Sequence, residues 1–141
     1  MSHYVVINSD KSVEYFPDNT PYHFRTQFQS PLLLNGIWKV ALVDINLTTS
    51  KMKTKDPLYI YSDICGDNFV DGEKYNFLRM IKAQKTANWS QTFDVPQYVS
   101  VKKTEIRDIE FHIKKDSEKS ASFLNEPATI TLHFRQYPFL P

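Results

Sequence analysis

The densest group of chemically useful side chains lies in LYIYSDICGDNFVDG, Leu58 to Gly72, which holds Asp63, Cys65, Asp67 and Asp71. Carboxylates so close together suggest calcium. An EF-hand loop takes oxygen ligands at positions 1, 3 and 5, a glycine at 6 and a bidentate Glu at 12. Counted from Asp67, Asp71 falls at position 5 and Gly72 at 6, but Phe69 occupies 3 and Leu78 occupies 12. Neither can ligate a cation through its side chain. The flanks LYIY and YNFLRMI are aromatic and aliphatic, and read as strands rather than helices. The stretch is therefore expected to be a polar connection with Asp71-Gly72 as its tight turn.

Other reactive groups are sparse. A nucleophilic cysteine needs a lowered pKa and a nearby base. The acidic neighbours of Cys65 raise a thiol pKa instead, so it reads as an inert, structural thiol. His3, His23, His112 and His133 form no HxH or HExxH pair. His112 and His133 fall opposite the inward apolar phase of two late segments, and are expected to face outward. Asp44, inside VALVDINL, reads as a residue where a strand leaves the core, or as the partner of an Arg or Tyr. No GxSxG, P-loop or GxGxxG is present. No catalytic residue, metal site or cofactor is expected. Trp38 is expected in the core, and Trp89, in TANWSQT, is open enough to serve an interface.

The elements that would position these residues are strands. No segment repeats apolar residues at helical spacing for three turns between caps. YHFRTQF alternates, with Tyr22, Phe24, Thr26 and Phe28 on one side and His23, Arg25 and Gln27 on the other. GIWKVALVDINL is almost continuously apolar, as expected of a central strand covered on both faces for part of its length. HYVVI, LYIYSDI, YNFLRMIKA, QYVSVKK, DIEFHIKK and ATITLHFRQY complete a set of eight. The connections TTSKMKTKDP and KKDSEKSASFLNEP are charged, and are expected to be exposed and mobile. Eight antiparallel strands in one domain over 1–141 imply an all-β, two-sheet sandwich or jelly roll. An immunoglobulin-like sandwich is a rival, but its Cys…Trp…Cys hallmark is missing.

Bulk properties narrow the partners. A net charge of +1 over 141 residues gives no preference for a phosphate backbone or an anionic membrane. The one cysteine excludes an intrachain disulfide and suggests a reducing compartment. The start MSHYVVINSD does not read as a signal peptide, and no apolar run reaches the length of a membrane span.

The order of the motifs is similar to that of a known family. INSDKSVEYFPDNT begins the series, followed by Pro31 to Leu34, the Trp38 to Leu42 strand, Leu58 to Ile64, and Leu132 to Arg135. This series resembles the minor capsid (penton) proteins of polinton/Maverick elements, adintoviruses and virophages, across nearly the whole chain. One departure is VDGEK, where the family often carries VG-D before the next strand. The resemblance implies a single jelly roll without enzymatic activity. It also implies a homopentamer at the five-fold vertices of an icosahedral capsid, beside double-jelly-roll major capsid proteins. The place expected from it is the virion capsid, assembled in host cytoplasm or nucleus. The alternative is a ligand-binding jelly-roll module, lectin-like or cytokine-like. An enzyme on a cupin-like scaffold ranks third for want of a metal cluster.

A ring of this kind needs two different patches on each subunit. The closing segment QYPFLP offers Tyr137, Phe139 and Leu140 for one of them, with Pro138 and Pro141 keeping it out of the sheet. Together with Trp89 these are the expected interface residues.

Overall fold

Alternating apolar residues can be buried only if a second sheet covers them, and the chain forms two sheets for that purpose. The computed structural model describes residues 2–48, 57–66, 68–70, 72–82, 88–115 and 119–137. Its strands are β1 (Ser2–Asn8), β2 (His23–Leu33), β3 (Ile37–Thr48), β4 (Leu58–Ser62), β5 (Asn68–Val70), β6 (Glu73–Tyr75), β7 (Phe77–Ile81), β8 (Asn88–Thr92), β9 (Val99–Ser100), β10 (Glu105–Lys114) and β11 (Thr129–Tyr137). No helix occurs among the described residues. One sheet runs β1-β11-β3-β8, with β9 also on β3, and the other runs β2-β10-β4-β7. These pairings are all antiparallel, and together the sheets form a β-sandwich.

The pairing is nested. β1 pairs with β11, β2 with β10, β3 with β8 and β4 with β7. From the outside inward along the chain, early strands meet late ones, so the chain behaves as one long hairpin rolled into two layers. The inner faces carry Ile7, Phe24, Leu42, Ile60, Ile109, Phe111, Ile113, Ile130, Leu132 and Phe134, all buried in one core. Burying each such side chain contributes about 1.5–3 kcal/mol.

The continuous apolar run of β3 has a specific cause. Leu42 pairs with Leu132 and Asp44 with Thr131, so Val43 is an extra residue in the ladder. The bulge reverses the inward phase. Trp38, Val40 and Leu42 point to the core before it, and Ile45 and Leu47 after it. Ala41 is also buried, opposite His133 on the outer face.

Five expectations need correction. The strands among the described residues number eleven, not eight. Asn88–Thr92 is a full partner of β3, although NWSQT has too few apolar residues to alternate visibly. QYVSVKK contributes only the two residues of β9. The connection between β4 and β7 is itself partly a hairpin, β5 against β6, in which Val70 opposite Glu73 leaves a two-residue turn and Gly72 takes φ 79°. In KKDSEKSASFLNEP, the stretch expected to be exposed supplies core residues: Ala121 and Leu124 are buried and Phe123 packs against them. Asp67, Asp71 and most of TTSKMKTKDP lie outside the described residues.

Candidate functional site

The richest cluster of charged groups lies on the outer face of the four-stranded sheet. The outward phase of β2 presents His23 and Arg25, and in the ladder these face His112 and Glu110 of β10. Arg25 is the hub. Its Nη1 donates to Asp108 and lies 3.6 Å from Asp63 Oδ2, and its Nη2 is 3.3 Å from Glu110 Oε2. Lys103 Nζ donates to Asp63 Oδ2 at 3.1 Å, and Asp63 Oδ1 accepts from the Glu110 amide at 3.0 Å. Burial alone lowers the Arg25 pKa, but the hydrogen bond to Asp108 and the charges of Glu110, Asp108 and Asp63 outweigh it and raise the value.

Beside this network His23 and His112 stack with centroids 4.1 Å apart, and His23 Nε2 lies 3.3 Å from Glu110 Oε2. His112 Nε2 is 2.7 Å from Ser120 Oγ. Burial first, then the charges of His23 and Lys114, pushes the His112 pKa down to about 4, against a smaller opposing effect of Glu110. Depressions of about 320 and 220 Å³ flank the cluster and share Glu110. Each carboxylate here already faces a cation, so the arrangement ties β2, β4 and β10 together. No group of three or more His, Cys, Asp or Glu suited to a metal ion occurs among the described residues.

The other sheet's outer face is aromatic. Tyr4 of β1 stacks on His133 of β11 at 4.3 Å, and Tyr98 OH lies 2.8 Å from His133 Nδ1. Arg135 sits 5.7 Å from the Tyr98 ring centre and Lys39 sits 5.5 Å from that of Tyr137. His112 and His133 do face outward, but on different sheets, so they do not meet. His112 instead meets His23.

The remaining expected residues distribute as follows. Trp89 is in β8, in register with Leu47, rather than in an open connection. Tyr137 ends β11 and is half exposed. Phe139 and Leu140 lie outside the described residues. Asp44 stands at the β3 bulge and accepts from Thr92 Oγ1 at 2.7 Å, so its partner is neither Arg nor Tyr. Cys65 is fully buried, and burial, then Asp63, pushes its thiol up to about 12 against a smaller effect of Lys102.

One residue of note escaped the sequence reading. Arg79, in the middle of FLRMI, lies flat on Phe93 with its guanidinium carbon 3.7 Å from the ring centre. Its Nη1 lies 3.4 Å from the Val95 carbonyl oxygen, and its Nε is buried without a partner. Burial lowers its pKa. An arginine within an apolar strand was the available signal, but only the fold reveals that no carboxylate meets it among the described residues. No protein-family model matches the chain, and no curated protein matches it.

Proposed function

We propose that the chain is a single jelly roll serving as a minor capsid (penton) protein, a homopentamer at the five-fold vertex of an icosahedral capsid. The observation that carries this reading is the nested pairing of first strand with last, second with second-last, and inward to β4 and β7. Rolling a long hairpin in this way yields the double Greek key of a jelly roll, an architecture common to viral capsid and lectin domains. The order of motifs from INSDKSVEYFPDNT to LHFR supports the capsid branch. A lectin-like site draws less support, because Glu110, the carboxylate that the two depressions share, is held by Arg25. The role is structural rather than enzymatic, and the partner is a double-jelly-roll major capsid protein.

The test is assembly. The full chain is mixed with such a major capsid protein and the particles are imaged by electron microscopy. Density of this chain at five-fold positions is the expected result. Particles whose vertices close without it, together with no binding to the major capsid protein, remove the vertex reading.

A further inference from the structure

The two outer edges of the four-stranded sheet are finished in opposite ways. Along β2, Asn19 Nδ2 donates to the Arg25 carbonyl at 2.8 Å and Asn19 Oδ1 accepts from the Arg25 amide at 2.9 Å. The Gln27 amide donates to Ser12 Oγ at 3.0 Å. These bonds occupy backbone groups on the side of β2 away from β10, and they hold the segment 10–19 along that edge. The segment exposes Asp10, Glu14 and Asp18 against a single cation, Lys11. No ion pair engages the three carboxylates among the described residues. Val13 and Tyr15, on either side of Glu14, are exposed as well, Tyr15 at 68%.

The other edge is β7. There Arg79 lines a cavity of about 330 Å³ with Met80, Lys82, Gln91, Phe93 and Gln97. Its Nε is buried and unbonded, and among the described residues its guanidinium meets the Val95 carbonyl and the Phe93 ring but no carboxylate. A partly desolvated guanidinium gains most from a carboxylate that reaches it. Beside the polar Lys82, Gln91 and Gln97 of the lining, two apolar residues near Arg79 are open to solvent, Met80 at 45% and Val95 at 79%.

We infer that the Arg79 cavity of one copy receives the Glu14 carboxylate of the next, with Tyr15 and Val13 covering Met80 and Val95. The charges are complementary, and tyrosine and arginine are the anchors that most often dominate a protein interface. β2 and β7 are the terminal strands of one sheet, in the order β2-β10-β4-β7, so donor and acceptor lie on opposite sides of each subunit. Such a contact is heterologous and runs head to tail, which closes into a ring when the rotation allows. The inference rests on the ring reading above and names the surfaces that form the ring.

The test is the mass of the full chain by light scattering at low salt, with circular dichroism as a check on folding. The intact chain is expected at the mass of a ring. Glu14→Arg and Arg79→Glu are each expected to weaken association at least tenfold, and the two reversals combined in one chain to restore it. Arg79 packs on Phe93, so its reversal could unfold the chain; Glu14 is exposed, and its reversal carries the test alone. A ring that keeps its mass with Glu14→Arg overturns this contact and leaves the pentamer standing. An intact chain that is monomeric at high concentration also overturns it, and the vertex reading is then decided by co-assembly alone.

Discussion

His23 and His112 face each other across the β2–β10 ladder with their rings 3° from parallel, although far apart in the chain. At 4.1 Å two imidazolium charges would repel strongly, so the pair accepts a second proton only at a cost. Burial first, and then this repulsion from His23, lowers the His112 pKa from 6.5 to about 4. The unfolded chain takes the proton near pH 6.5 and the folded chain only near pH 4. The folded state is therefore favoured above the unfolded value, and this contribution is lost as pH falls from about 6.5 to about 4. Discounted for solvent screening at a half-buried site, the loss is about 1–2 kcal/mol. His112→Gln should flatten the fall in melting temperature over this window, relative to the unaltered chain. Equal pH profiles for both would show that the stacked pair does not control the response.

Arg25 is set against three carboxylates, so its removal is expected to cost more than an ordinary surface ion pair. Without it Asp63, Asp108 and Glu110 would share one face, with Lys103 against Asp63 and His23 against Glu110 as the remaining partners among the described residues. Arg25→Met should lose about 1–3 kcal/mol in urea unfolding, and more at low salt than at high. Arg25→Lys should recover less than half, because an ammonium cannot reach several carboxylates with one planar fork. A loss below about 0.5 kcal/mol for Arg25→Met would place the network among exposed pairs of no consequence.

Much of this architecture could be read from residue patterns, and the parts that could not share one physical reason. The alternation in β2, β10 and β11 placed His23 and Arg25 outward and Ile109, Phe111 and Ile113 inward, and Trp38 is in the core as its apolar setting implied. Alternation reports which face a residue takes, not which strand lies beside it. The meeting of His23 with His112, and of Arg25 with Asp108, depends on ladder register across the whole chain. β8 escaped because an edge strand needs few apolar residues. Ala121 and Leu124 escaped because charged neighbours on both sides masked them. Arg79 escaped because its significance lies in what does not contact it.

Cys65 should be unreactive in the folded chain. It is fully buried, and its thiol is raised to about 12, so almost no thiolate exists at pH 8. Iodoacetamide at pH 8 should leave the native protein unmodified over hours and label it rapidly in urea, as read by mass spectrometry. Labelling at the rate of a free thiol without denaturant would mean that the β4–β5 connection opens readily. Cys65→Ser should also leave the mass in solution the same under oxidising and reducing conditions.

Trp38 joins the start of β3 to the first strand and to the turn before it. It is buried, its ring stacks on His3 of β1 at 5.4 Å, and its indole N–H donates to the Asn35 carbonyl at 2.9 Å. Gly36, between Asn35 and the strand, takes φ 93°, a conformation that other residues adopt only with strain. The indole bond thus secures a turn that the backbone alone would hold poorly. Trp38→Ala removes the ring and the bond together, and should cost about 3–5 kcal/mol in urea unfolding. Trp38→Phe keeps most of the packing and loses the bond, and should cost about 1–3 kcal/mol. If both substitutions cost the same, the lost hydrogen bond accounts for the whole effect and the ring's packing adds nothing; if Trp38→Phe costs nothing, packing alone holds the turn. If Trp38→Ala costs under about 1 kcal/mol, the residue is not part of a packed core and the β3 register given above is wrong.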